Sequence, residues 1–255
     1  MLSLPAMEIA YVERSLAGAD LATARALAER LDLRVERRET DWDGLPDPRL
    51  IVVQAHRLHE EHPLDPNPLV RGLARASVRE TIERAGRAGV PYVLTVPGFG
   101  DDLVEDPVSV AVEAYREFVD VAQRAGVTLL VELLAPRRLR VLSQAAEFAH
   151  WMKGLNAGSH LLAALDTGHL LDAGLDPLAV VRDWPLEVGL LQLRGPGGGF
   201  PPHGMPLKAL LCEARPQVVS VEHHQSVDED QIEAFLTRLR RARERALQAD
   251  DSLSI

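Results

Sequence analysis

The sequence is poor in three features that mark large classes of protein. The first is cysteine: Cys212 is the only one in 255 residues. That excludes an intrachain disulfide and a cysteine-based metal site. It suits a reducing compartment, and a cytoplasmic location is the expectation. The second is positive charge: 28 Lys and Arg against 38 Asp and Glu leave a formal charge of −10. Nucleic-acid backbones and anionic membranes bind positive faces, so neither is expected as the main partner. The third is long hydrophobic runs: none approaches the roughly 18 residues that a membrane helix needs. The opening MLSLPAMEIAYVERS has neither a basic start nor a long apolar core, so no secretory signal is expected. No internal repeat is visible beyond the alternation described next.

What is present is a globular composition, 46% hydrophobic and 26% charged. Short apolar runs alternate with amphipathic segments along the whole chain. The predicted strands are Ala6–Val12, Leu33–Glu36, Leu50–Gln54, Pro91–Val96, Val127–Leu133, Leu161–Asp166, Glu187–Leu193 and Gln217–Glu222. Helices are predicted from Leu21, after an Asp20 cap, and over about Leu69–Ala88, Pro107–Ala125 and Ser143–Leu155. Others are predicted from Pro177, over Leu207–Ala214 and over Ile232–Leu247. Gly89 and Gly126 read as helix stops, and Pro107 and Pro177 as first-turn prolines. Eight strands, nearly all followed by a helix, force parallel pairing through crossovers. The expected fold is α/β, a (β/α)8 TIM barrel forming one domain over 1–255, with 248–255 a frayed tail. A doubly wound open sheet is the alternative.

In such a barrel the chemistry sits at the C-terminal ends of the strands. Four consecutive strands end with an oxygen-bearing side chain: Glu132 in VTLLVELLA, Asp166 in LLAALDTGH, Gln192 in GLLQLR and Glu222 in VVSVE. Taken alone, Asp166 caps the turn that follows it, or pairs with a cation at the end of a buried strand. His169 is then an ordinary loop histidine or part of the site. Three carboxylates converging on one apolar mouth repel each other unless a cation neutralises them. Three carboxylates and an amide form an all-oxygen set, suited to Mg²⁺, Mn²⁺ or another hard divalent ion such as Co²⁺.

These motifs carry a resemblance. RVE at 34–36, LLVEL at 129–133, LDTGH at 165–169 and SVE at 220–222 resemble the strand motifs of the xylose isomerase-like TIM-barrel superfamily. That group includes ketose 3-epimerases, hydroxypyruvate isomerase, inosose dehydratases and endonuclease IV. The resemblance spans almost the whole chain, and LDTGH is its most specific part. It implies Glu132, Asp166, Gln192 and Glu222 as metal ligands, Glu132 and Glu222 as proton-transfer groups, and His169 beside the substrate. A glutamine as third ligand resembles the hydroxypyruvate isomerase branch. The chain departs from the pattern at Val96-Pro97-Gly98, at Gln54, at Gly195 and in PPHGMPL. The multi-histidine site of the endonucleases is therefore largely missing.

The function implied is isomerisation or epimerisation of a small sugar, keto-sugar or keto acid through an enediolate. A dehydratase on the same site and a non-catalytic binding barrel are the alternatives. Arg194 reads as a solvated loop arginine, or else as a clamp for a substrate carboxylate or phosphate. His56 either edges the pocket or belongs, with His59 and His62, to a polar surface loop. The GPGGG stretch at 195–199 reads as a mobile lid or a plain linker. His223 or His224 is a candidate to support Glu222 from behind. Barrels of this kind often pair, so a homodimer is expected.

Overall fold

The computed structural model describes residues 7–17 and 20–251. Among them are strands β1 (Glu8–Val12), β2 (Arg34–Arg38), β3 (Leu50–Gln54), β4 (Tyr92–Thr95), β5 (Thr128–Glu132), β6 (Leu161–Asp166), β7 (Val188–Leu193) and β8 (Val218–Val221). The helices are α1 (Glu13–Ala17), α2 (Leu21–Arg30), α3 (Pro68–Ala88), α4 (Pro107–Ala125), α5 (Ala145–Leu155), α6 (Thr167–Asp172), α7 (Pro177–Arg182), α8 (Leu207–Ala214) and α9 (Glu229–Asp251). The strands follow one another in sequence order and close into a barrel. β8 pairs with β1 in parallel, Glu8 opposite Val218, and β5 pairs with β6, Glu132 opposite Ala164. The (β/α)8 expectation holds.

The chain comprises two compact units, residues 35–165 and residues 1–34 with 166–255. In the first, α3 and α4 start and stop where sequence punctuation directs. Asn67 and Asp106 accept backbone amides of the first turns, each ahead of a proline at the start of its helix. Gly89 (φ 73°) and Gly126 (φ 69°) end the two helices in the left-handed region, which L-residues enter only with strain. A Cβ on Gly86 would lie 2.5 Å from the Ala125 carbonyl, so glycine there lets the two helices approach. Below them Tyr115 donates its hydroxyl to Thr95 Oγ1 at 3.0 Å and meets Trp151 edge to face at 4.9 Å. Complete burial pushes the Tyr115 hydroxyl far above its ordinary pKa.

In the second unit Tyr11, on β1, holds His223 Nε2 at 2.7 Å. α9 buries Ile232, Phe235, Leu236 and Leu239. Phe200 packs edge to face on both His223 and Phe235. The structure adds two short helices to the expected elements. α1 begins directly where β1 ends, with no loop between them. α6 replaces the expected Thr167-Gly168 turn, because Asp166 Oδ1 accepts the amides of both Gly168 (2.6 Å) and His169 (3.0 Å) and winds the chain into a helix. α9 begins at Glu229 and runs to Asp251. The rest of the expected tail, like Ala6 of the expected first strand, lies outside the described residues.

Candidate functional site

The expected residues gather at the C-terminal ends of β5 to β8. Glu132 ends β5, Asp166 ends β6, Gln192 is the penultimate residue of β7, and Glu222 directly follows β8. Asp166 and His169 each offer one donor atom within 4.8 Å of the other, and both residues are buried; Glu132, at the end of β5, is buried in its own unit. His169 reaches Asp166 because α6 starts without a loop and turns the ring back over the strand end. A carboxylate and an imidazole at this separation fit a divalent cation, and a buried carboxylate without a cationic partner is poorly solvated.

Asp166 serves both of the roles its position suggested. Oδ1 caps α6 through two amides. Oδ2 faces Arg194 Nη2 at 3.0 Å. Arg194 therefore corrects the expectation of a solvated loop arginine: it is only 4% exposed. Its Nη2 also donates to the His169 ring, 3.1 Å from Nε2, and its Nη1 lies 3.7 Å from Glu222 Oε1. The Arg194 backbone is fixed on both sides by one hydroxyl. Thr167 Oγ1 accepts from the Arg194 amide and donates to its carbonyl, both at 2.8 Å. Gly168 leaves room for the side chain, since a Cβ there would lie 2.8 Å from Arg194 Nε. Gln192 Nε2 donates to Glu222 Oε2 at 3.0 Å.

The other expected residues have partners of their own. The His56 amide is held by Glu39 Oε2, and its ring stacks on His59 at 4.3 Å. The loop of three histidines is only partly surface. His62 is 7% exposed, beneath Gly98, where a Cβ would lie 3.2 Å from its Nδ1. Burial holds the His62 imidazole below its ordinary pKa. His223 binds Tyr11 and the Gln225 carbonyl. The GPGGG stretch is tied down. Gly197 N donates to Asp172 Oδ1, Gly195 N to the Gly199 carbonyl, and His224 N to the Gly198 carbonyl, each at 2.8 Å.

Sequence reasoning passed over two buried carboxylates. Glu13 is 1% exposed just past β1, with Arg25 Nε at 3.3 Å. Glu39 follows β2 and accepts the amides of His56 and Arg57. Neither lies in an apolar run ended by a turn, the signal that singled out the other acids.

A parallel (β/α)8 barrel with a buried cluster of donors at its strand ends defines the class of protein. The chain belongs to the xylose isomerase-like TIM-barrel family, whose sequence model matches residues 47–195, more than half of its length. Among solved structures it is similar to an L-ribulose 3-epimerase, with a TM-score of 0.71 and 18% identity over 98% of both chains. It is also similar to the 3-keto-D-glucoside 4-epimerase YcjR from E. coli, at 0.70 and 14%, covering 92% of this chain and 99% of that one. A zinc-bound IolI protein aligns at 0.65 and 16%, covering 95% and 96%. At these identities the likeness is one of fold. No curated protein sequence matches significantly.

Proposed function

We propose that the protein is a divalent-metal-dependent isomerase or epimerase of a small hydroxy-carbonyl compound: a sugar, a keto-sugar or a hydroxypyruvate-like keto acid. The observation that carries this is the buried Asp166 beside His169, with donor atoms within 4.8 Å, sharing the Arg194 guanidinium with Glu222 at the strand ends where this fold hosts catalysis. Glu132, Asp166, Gln192 and Glu222 would hold Mg²⁺, Mn²⁺ or Co²⁺. A bound cation supplies Lewis-acid polarisation of the carbonyl, which acidifies the neighbouring C–H. Glu132 and Glu222 are the proton carriers, one removing the C–H proton and the same or the other carboxylate returning it to the enediolate. His169, beside Arg194, hydrogen-bonds a substrate hydroxyl and steers its proton. The likeness to an L-ribulose 3-epimerase and a 3-keto-D-glucoside 4-epimerase supports a carbohydrate substrate. In this reading the protein works in the cytosol, as a homodimer.

The test is turnover of a ketose panel, hydroxypyruvate and inososes by the Mn²⁺-loaded protein and its Glu222→Gln variant. Product formation by the wild type, lost in the variant, supports the reading. A variant as active as the wild type refutes the role of Glu222. One observation favours a second reading, a binding barrel without catalysis: the Arg194 guanidinium already pairs with Asp166 and approaches Glu222. Loss of water from the substrate instead of rearrangement would identify a dehydratase.

A further inference from the structure

We infer that Arg194 is a resident cation that competes with the divalent metal: the metal binds Asp166 and Glu222 only after the guanidinium leaves them. The inference rests on the metal-dependent reading above.

Three observations carry it. First, the guanidinium is spread across two of the carboxylates that would hold a metal and the histidine beside them. It has Asp166 Oδ2 at 3.0 Å, the His169 ring nitrogen at 3.1 Å and Glu222 Oε1 at 3.7 Å. Each of these lone pairs serves one cation at a time, and a divalent ion a few ångströms from a guanidinium is repelled by it. Second, the arrangement is built in. The Thr167 hydroxyl fixes the backbone of Arg194 from both sides. The missing Cβ of Gly168 opens the slot through which the side chain passes. Asp166 Oδ1 is committed to capping α6, which leaves Oδ2 as the oxygen to be contested. Third, Arg194 cannot withdraw by losing its proton, because a guanidinium stays charged at any working pH. With its backbone held, the exchange is a rotation of the side chain out of the cluster.

The consequence is a site that is neutralised internally when no metal is bound. The metal-free protein should fold, and its affinity for metal should be set below that of the same donors without the arginine.

The experiment is isothermal titration with Mn²⁺ alone, after chelator treatment, on wild type, Arg194→Met and Arg194→Lys. Free Mn²⁺ is counted independently by its electron paramagnetic resonance signal, and near-ultraviolet circular dichroism checks each fold. Arg194→Met should bind Mn²⁺ about tenfold or more tightly than wild type, because a positive charge has left contact range. Arg194→Lys separates displacement from bulk charge. It keeps the charge, but a single ammonium cannot span the same acceptors, so its affinity should rise by a few-fold. If Arg194→Met does not fold, the lysine variant decides alone. Equal binding by wild type and the folded variants overturns the inference and leaves the metal reading standing. So does weaker binding by the variants, which would make Arg194 a support of the metal. No binding by any of the three at millimolar Mn²⁺ overturns the metal reading, and the inference with it.

Discussion

The same pair of residues is used twice. Between β2 and β3, Gln54 Nε2 donates to Glu36 Oε1 at 2.8 Å. At the ends of β7 and β8, Gln192 Nε2 donates to Glu222 Oε2 at 3.0 Å. In each case a glutamine on one strand holds a glutamate from its hydrogen-bonded neighbour. The surroundings differ. Glu36 is fully buried, and beside it Arg37 is committed to Asp47 at 2.8 Å. The Glu222 side chain is 13% exposed and shared with Arg194, which itself is bound to Asp166. The first pair ties two strands together. The second holds a carboxylate that is partly open to solvent and shared with a guanidinium. Burial and the neighbouring charge separate structure from chemistry here, not residue type.

The largest effect should come from Glu222→Gln. In the proposed role Glu222 carries a proton, and losing such a group costs about 10²–10⁴-fold in turnover of whatever substrate is identified. The hydrogen bond from Gln192 can be kept, so the unfolding midpoint should move little. A large loss of stability with no kinetic effect would erase the contrast between the pairs. Glu36→Ala is the converse. It leaves the Gln54 amide unpaired in a buried place and should destabilise by about 1–3 kcal/mol in urea unfolding. Its Mn²⁺ affinity should stay that of wild type.

Acid should weaken both regions. Burial lowers the pKa of His62 in one unit and of His223 in the other. Each therefore binds a proton more readily when unfolded. Stability contributed by the neutral rings is present above their unfolded pKa, about 6.5, and is lost as the pH falls below it. Urea unfolding at pH 7.5, 6.5 and 5.5 should show this decline; a rise on acidification would contradict the assignment. The smallest effect is expected outside either site. Arg79 reaches Glu117 at 2.7 Å across α3 and α4, with its side chain 45% exposed. Arg79→Ala should cost under about 1 kcal/mol in the same assay.

Much of the barrel was legible because local signals settle it. Leu50–Gln54 and Leu161–Asp166 are apolar runs closed by turn residues, and both form strands with the expected ends. Asp106-Pro107 and Gly126 bracket α4 because capping and the left-handed exit are local geometry. The short helices were not legible. No proline or glycine separates Val12 from Glu13, and the helical start of α6 depends on the Asp166 carboxylate finding two amides. The site acids were legible as polar breaks in apolar strands. Arg194 was not. A single sequence shows it after Gln192-Leu193 and before a glycine loop, as a solvated residue would be. Its burial is decided by Asp166, His169 and Glu222, which arrive from 25 or more positions away. His62 was misread for the same reason, since its cover comes from Gly98.

The central claim is that the acids at these strand ends form a cation site. It is tested most directly by thermal unfolding of chelator-treated wild type and Asp166→Asn, with and without Mn²⁺. Asparagine still caps α6, so the variant should keep its fold. Metal bound only by the folded state stabilises it by about 2.7 kcal/mol at a hundred times its Kd. The expected result is a midpoint that rises with Mn²⁺ in wild type and does not move in the variant. No rise in wild type at Mn²⁺ well above millimolar, or an equal rise in both proteins, would contradict the claim.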